Sequence, residues 1–491
     1  MTHIKPDLHP CFSRSCGDSM PQSSAASRFP HGEWDSANAL FRTDAHETAR
    51  RPRRNEGSES AADGFTSRSE GVCVRSVLRG AHTLAEAALG RSEQTSLRGA
   101  HKKKMLRKKM RVGVLFGGRS GEHEISLRSA LTVMSSMDPA RYEIVPIGIA
   151  RDGRWRLRVD AISSLKQSAP KLQALGRGGI PVSLPPYPHG RLLQEKSIGN
   201  GARRTKSGNG NAELAPLDLV FPVLHGTFGE DGTIQGLLEL AGVPYVGAGI
   251  LGSAIGIDKD IQKRLLRESG IPVVRYFSLT QAEAANHPGR LRRLADELGY
   301  PIFVKPNALG SSIGVSRVTS MPALSGALKD AFQYDRKVLL EAGCEGREFE
   351  CAVLGNDDPQ ASVVGEVMVH RRHRFYSYES KYVDPRGAEV KIPADLPQPL
   401  SDRIRKLSAA AFKALGLRGM ARVDFLARAD LSECFVNEVN TIPGFTAISM
   451  YPKLWEATAL PLPRLIDRLI ELALEEHRQR ARLKFTYQPK L

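Results

Sequence analysis

Two short stretches near the C-terminal end place acids, an amide and a guanidinium at alternate positions. The first is Gly419-Met-Ala-Arg422-Val-Asp424-Phe425 and the second is Cys434-Phe-Val-Asn-Glu438-Val-Asn440-Thr441. In a strand, alternate side chains share a face. Arg422 and Asp424 therefore sit on one side, with Val423 and Phe425 on the other; Glu438 and Asn440 likewise share a side, with Val439 opposite. Residues 427–433 are long enough for a hairpin loop. Paired, the two strands would present two carboxylates, an amide and a guanidinium on one face. Hard oxygen ligands of that kind suit Mg²⁺, which keeps several waters and bridges substrate phosphates. The same pattern also fits two half-buried strands with a solvated polar face, so the flanking sequence has to weigh in.

The elements that must position these residues read as α/β. Residues 111–116 are an apolar run ending in Gly117-Gly118-Arg-Ser-Gly121, and apolar residues at helical spacing follow Glu122. Strand, glycine turn and helix open a buried parallel sheet. Such a turn seats an anion at the helix N-terminus or serves packing alone. Glu122 offers a site for an ammonium group, or is a first-turn acid favoured by the helix dipole. Further strands are expected at 142–150 and 217–224. The second ends in His225-Gly226-Thr-Phe-Gly229-Glu230-Asp231-Gly232, at the end of a parallel strand where open α/β sheets bind ligands. Residues 176–214, rich in Gly, Pro and basic residues, read as a long surface excursion.

A new organisation begins at Gly252. Asp258-Lys259 opens a helix, and 299–306 is a strand ending in Lys305-Pro306. Next comes Asn307-Ala-Leu-Gly310-Ser311-Ser312-Ile-Gly314, whose small residues would let backbone N–H groups approach phosphate oxygens while Lys305 adds charge. A plain hairpin with flexible glycines and a surface lysine fits the same residues. Residues 338–344 and 347–354 read as strand, short connector, strand, and 376–393 has the irregular profile of a functional loop or lid.

At 491 residues the chain has room for two to four domains. Its 41% hydrophobic and 25% charged content is ordinary for a globular protein, and no apolar run is long enough to span a membrane. The six cysteines form no CxxC pair and no metal spacing, which fits free thiols in a reducing cytoplasm. Residues 1–110 hold 19 Lys and Arg against 12 Asp and Glu, so +7 of the net +17 lies there. This segment lacks sustained apolar periodicity and cannot bury enough surface to offset its chain entropy. Residues 1–109 are expected to be a disordered basic extension, with Met105 and Met110 as candidate true starts. A nucleic-acid-binding tail and a targeting peptide are the competing readings.

From Arg111 to about Glu476 the chain resembles the D-alanine-D-alanine ligases of the ATP-grasp superfamily. The resemblance rests on Gly-Gly-x-Ser-x-Glu-x-Glu-x-Ser at 117–126 and His-Gly-x-x-Gly-Glu-Asp-Gly-x-x-Gln at 225–235. It continues through Asp258-Lys259, Lys305-Pro306 with Gly-Ser-Ser-x-Gly, Glu341 with Arg-Glu-Phe, and Lys381-Tyr382. Ala-Arg-x-Asp-Phe and Asn-Glu-Val-Asn-Thr-x-Pro-Gly-Phe-Thr at 437–446 complete it. Each motif alone is weak; their joint order and spacing is specific.

The resemblance implies an α/β (α+β) ligase of three domains. These are a Rossmann-like N-terminal domain at 110–250, a central ATP-grasp subdomain at 251–341, and a C-terminal subdomain at 342–481 with metal site and lid. It implies that ATP phosphorylates one D-alanine carboxylate to an acyl phosphate, which the amine of a second D-alanine attacks. Asp424, Glu438 and Asn440 would hold two Mg²⁺ ions, with Mn²⁺ as a substitute. Lys259 and Lys305 would contact phosphates, Ser312 falls in the nucleotide-binding set, and Lys381 would sit near the transferred phosphoryl group. Glu341, Ala342 and Cys344 match the strand that reads adenine, and Glu348 the ribose-binding acid. Glu122 matches the acid that binds the first ammonium, and Glu122, Ser311 and Tyr382 match a hydrogen-bonded trio. Arg422 and the Gly444 N–H match the oxyanion-stabilising pair. Ser449 and Met450 match the site for the second carboxylate, with His225 and Glu230 as supporting residues. Family members that make the D-alanine-D-lactate depsipeptide depart from the Lys-Tyr pair kept at 381–382, so an amine nucleophile is expected. The resemblance also implies a cytoplasmic homodimer, with no nucleic-acid or membrane partner. The alternatives are an ATP-grasp ligase for other substrates, and a basic nucleic-acid-binding protein resting on charge alone.

Overall fold

The computed structural model describes residues 108–168, 178–195, 212–370, 384 and 386–487. The expected extension through residue 107 and the Lys381-Tyr382 pair lie outside the described residues. Three sheets, each coated by helices, organise the rest.

The first sheet comprises β1 (Met110–Gly117), β2 (Tyr142–Ile149), β3 (Trp155–Leu157), β4 (Ile180–Ser183), β5 (Leu193–Gln194), β6 (Ala212–Glu213) and β7 (Leu219–Val223), in the order β6-β5-β4-β3-β2-β1-β7. β1 lies parallel between β2 and β7. A strand covered on both faces must be apolar throughout, and Val112, Val114, Leu115 and Phe116 are all fully buried. Its layers include α1 (His123–Ser136) and α2 (Ala161–Ser168), followed after β7 by α3 (Thr233–Leu240). The 176–214 stretch is not simply a surface excursion. β4, β5 and β6 extend the sheet there, and Val182, Leu184 and Leu192 are buried beneath it. Only two to four residues pair in each strand, too few for an alternation pattern to reveal.

α4 (Ile250–Ile257) and α5 (Lys259–Glu268) follow. The second sheet is antiparallel, in the order β10-β9-β11-β8, from β8 (Tyr276–Thr280), β9 (Ile302–Pro306), β10 (Ser316–Val318) and β11 (Lys337–Ala342). Its helices are α6 (Gln281–Asn286), α7 (Pro288–Leu298) and α8 (Met321–Ala331). The third sheet is also antiparallel: β12 (Gly346–Gly355), β13 (Gln360–Val369), β14 (Ala388–Lys391), β15 (Gly419–Arg428) and β16 (Cys434–Asn440), ordered β14-β13-β12-β15-β16. Here α9 (Gln398–Ala414), α10 (Met450–Ala457) and α11 (Leu462–Arg480) supply the cover. The end of the expected lid, 388–391, is thus a strand paired to β13.

Two features position the site. β11 and β12 are consecutive but belong to different sheets, so the chain crosses from the second sheet to the third at 343–345 and leaves a cleft between them. α5 is anchored on the outer edge of β16, beside the short bridge that pairs Val273 with Val436. The Val439 N–H donates to Gln262 Oε1 at 2.9 Å, and Gln262 Nε2 donates back to the Val439 carbonyl at 3.1 Å.

Candidate active site

The cleft between the second and third sheets has a volume of about 710 Å³. β12, β15 and β16 bring three carboxylates to it in one row. Glu350 stands opposite Asp424, and Asp424 opposite Glu438, in the strand register. Like charges directly opposite on neighbouring strands destabilise a sheet, so the row requires cations. Arg422 supplies one: its Nε and Nη2 each donate to Asp424 at 2.7 Å, and Nε lies 2.8 Å from Glu350. Asn440 Nδ2 donates to Asp424 at 3.0 Å. Lys259 Nζ lies 3.5 Å from Glu438. Among the described residues no three His, Cys, Asp or Glu side chains converge on one point. The donor set is nonetheless all hard oxygen on a part-buried face, which fits Mg²⁺.

The alternation expected of β16 is broken by a bulge. Asp424 pairs with Glu438 but Phe425 pairs with Val436, so Asn437 is the extra residue. Asn437 and Glu438 consequently both line the cleft. Asn437 gave no signal in the sequence, because period-2 reasoning puts it with the buried Val439.

Lysines line the other wall. Lys305, at the end of β9, lies 2.5 Å from Glu341 Oε2 and donates to Asn437 Oδ1 at 3.1 Å. Glu341 is buried, and Lys263 on α5 meets its other oxygen at 3.1 Å. Burial alone would push the Glu341 carboxyl up, but the two lysines outweigh it and hold it below the usual carboxylate range. Burial pulls the Lys305 ammonium down, yet Glu341 outweighs it and raises the group above its ordinary value. Lys263 shifts downward, burial being the largest cause, against the upward pull of Glu341. The Glu341 side chain is therefore engaged with lysines, while Ala342, Cys344 and Glu348 line the same cleft. Sequence reasoning gave Lys263 and Glu350 no role. Signals existed for both: Lys263 lies one helical turn beyond Lys259, and Glu350 two strand positions beyond Glu348.

The glycine-serine loop rides on the N-terminus of α5. Asp258 caps the helix by accepting the Ile261 N–H at 2.9 Å. Asn307 accepts the next two exposed donors, Lys259 N–H at 3.1 Å and Asp260 N–H at 3.0 Å. Lys259 Nζ donates to the Leu309 carbonyl at 2.5 Å. Ser311 and Ser312 hold left-handed φ angles of 51° and 56°. Each costs about 1–2 kcal/mol outside glycine, and strain of this kind concentrates at ligand sites.

A second cluster joins this loop to the first sheet. Glu122 is buried at the start of α1, and Ser311 Oγ donates to its carboxylate. A Cβ placed on Gly226 or Gly310 would come within 2.9 Å of Glu122 Oε2, so both glycines are required for the carboxylate to lie there. His225 is buried, with Nδ1 3.1 Å from the Ile442 carbonyl and Nε2 3.1 Å from Ser129 Oγ. The carbonyl can only accept, so the proton is assigned to Nδ1 and Ser129 donates to Nε2. Burial lowers the affinity of this ring for a second proton. Ser129 also accepts the Phe445 N–H at 3.2 Å, a role that the sequence did not reveal. Glu230 accepts the Gly226 N–H at 2.8 Å. Burial first, and the Glu122 charge second, push its carboxyl up to about 8.

The turn after β16 carries the remaining candidates. A Cβ on Gly444 would sit 2.7 Å from Ser449 Oγ, so the backbone approaches Ser449 as only glycine allows. Ser449 Oγ accepts the Thr446 N–H at 3.0 Å. The Met450 side chain is buried in the core, against Gly365, so only its backbone is left to face the turn. Being the first residue of α10, it follows the helix face that packs on β13.

Known proteins resemble this chain over most of its length. Residues 111–248 match the family described as D-ala D-ala ligase N-terminus, and residues 265–471 match D-ala D-ala ligase C-terminus. The chain is 44% identical over 376 residues to the D-alanine--D-alanine ligase of Shouchella clausii, covering 77% of this chain and 98% of that one. Among solved structures it is similar to the D-alanine-D-alanine ligase from Coxiella burnetii, with TM-score 0.62, 37% identity, and coverage of 76% of this chain and 96% of that chain. It is also similar to the VanG D-Ala:D-Ser ligase from Enterococcus faecalis, with TM-score 0.63, 32% identity, and coverage of 74% and 100%.

Proposed function

We infer that this chain, which belongs to the D-alanine-D-alanine ligase family, joins two D-alanine molecules at the expense of ATP. The products are D-alanyl-D-alanine, ADP and phosphate, and the peptide serves peptidoglycan precursor synthesis. The observation that best supports this reading at the residue level is the carboxylate row Glu350-Asp424-Glu438, facing a cleft whose other wall bears Lys305.

The residue roles are those the family resemblance implies, and that layout supports them. Asp424, Glu438 and Asn440 would hold two Mg²⁺ ions, with Mn²⁺ able to substitute, and the metal would supply charge neutralisation at bridging phosphates. Lys259, Lys305 and the N–H groups around Ser312 would hold the phosphates. Ala342 and Cys344 would border the base, Glu341 would offer it backbone only, and Glu348 would take the ribose. Glu122, steadied by Ser311, would bind the first D-alanine through its ammonium. The carboxylate of that D-alanine attacks the γ-phosphorus and ADP leaves. The amine of the second D-alanine then attacks the acyl carbon, loses a proton, and the bond to phosphate oxygen breaks. Arg422, already fixed by Asp424 and Glu350, and the Gly444 N–H would meet the developing oxyanion as preorganised donors. Ser449 would receive the second carboxylate, with His225 and Glu230 steadying the pocket. Lys381 and Tyr382 would close it, the first near the transferred phosphoryl group. A homodimer in the cytoplasm, with the three-domain division at 250 and 341, completes the reading.

The test is phosphate release by the purified chain with ATP, Mg²⁺ and D-alanine, with L-alanine as control and the product weighed by mass spectrometry. D-serine and D-lactate serve as rival second substrates. D-alanine-dependent release with the dipeptide formed is expected. A folded, nucleotide-binding protein that releases no phosphate with D-alanine would refute the substrate.

A further inference from the structure

Lys263 is the least accessible cation of the cleft region. It is fully buried on α5, and unlike Lys259 and Lys305 it does not line the cleft. Its Nζ is held on two sides, 3.1 Å from Glu341 Oε1 and 2.8 Å from the Asn437 carbonyl that accepts from it. Glu341 is therefore bridged by two ammonium groups, one sealed in the interior and one at the cleft wall.

This asymmetry matters once a nucleotide is present. A phosphate at the cleft wall would compete with Glu341 for the Lys305 ammonium. A buried carboxylate stripped of its only cation is strongly disfavoured. With Lys263 in place, Glu341 keeps a charged partner whichever way Lys305 turns.

Resting on the ATP-binding reading of this cleft, we propose that Lys263 is a positioning residue, the resident counter-charge of Glu341 that releases Lys305 to pair with nucleotide phosphate. Lys263 itself touches no substrate.

The test uses the full chain and two backgrounds. Lys263→Met keeps the length of the side chain and removes its charge. The KM for ATP and the Kd for ADP with Mg²⁺ should rise about tenfold or more, while the KM for D-alanine moves less than about twofold. In a Glu341→Gln background there is no buried carboxylate left for Lys263 to neutralise. Adding Lys263→Met there should change the ADP Kd by less than about twofold, a non-additivity expected only of directly coupled groups. This second comparison stands even if Lys263→Met alone does not fold. Unchanged ATP and ADP affinity in Lys263→Met, an equal loss for ATP and D-alanine, or additive losses in the double variant would each overturn the proposal. ADP binding is read without turnover, so a wrong second substrate would leave this test intact.

Discussion

At the scale of single residues, charge balance dominates. Glu350, Asp424 and Glu438 stand on three adjacent strands where acids repel one another, and their presence makes sense only with cations between them. Glu438→Gln preserves shape but removes one of these charges and turns one acceptor oxygen into a donor. Turnover should fall on the order of a hundredfold or more, since each tenfold corresponds to about 1.4 kcal/mol of transition-state stabilisation. Near-wild-type turnover at low Mg²⁺ would refute the metal role. Glu230 gives a pH prediction. Its carboxyl titrates near 4.5 in an ordinary setting and at about 8 in the fold. Below 4.5 both states are protonated and the fold carries no penalty from this group. Between 4.5 and about 8 the folded state holds a proton that the unfolded chain has lost, so stability declines as pH rises through that window. Glu230→Gln should flatten this decline, measured as urea midpoints across the window. An unchanged slope would mean that the carboxyl is not so enclosed.

At the scale of elements, α5 is the organising piece. One end carries the Asp258 cap and the Asn307 contacts that hold the glycine-serine loop; one face carries Lys259, Gln262 and Lys263 onto β16 and the cleft. Asp258→Ala should cost about 0.5–2 kcal/mol of stability through the lost cap. It also removes one of two carboxylate partners of Lys337, whose Nζ lies 3.1 Å from Asp258 and 3.2 Å from Asp260. The KM for ATP should rise, because Lys259 is the first residue of the helix being loosened. Loss of stability with an unchanged KM would show that the cap serves the helix alone. The helix was readable from Asp258-Lys259 onward. What α5 packs against could not be read, because helical periodicity marks a buried face without naming its neighbour.

At the scale of the whole chain, α11 ties the first sheet to the third. Leu465, Ile466, Leu469, Ile470 and Leu472 are each at most 2% exposed in a core shared with β1, β7 and Phe445. Tyr142 OH donates to Asp467 at 2.8 Å and Arg141 pairs with the same carboxylate, fastening β2 to this helix. Burying such side chains contributes about 1.5–3 kcal/mol each, together comparable with the roughly 5–15 kcal/mol that keeps a domain folded. A chain ending at Leu460 should therefore fail to give soluble, cooperatively unfolding protein; a sharp thermal transition from that truncation would contradict the assignment. The sequence by itself determined the α/β class, the family, the hairpin of Arg422, Asp424, Glu438 and Asn440, and the clustering of Glu122 with Ser311's loop as a family expectation. These rest on local periodicity and ordered motifs, which are properties of the chain read along its length. Only the tertiary structure decided that Asn437 turns into the cleft, that Met450 turns into the core, that Glu350 completes the acid row, and that Lys263 underlies Glu341. Each of these depends on a bulge, a strand register or a helix-on-strand contact between residues far apart in sequence, where burial and charge are set by neighbours that no local pattern specifies.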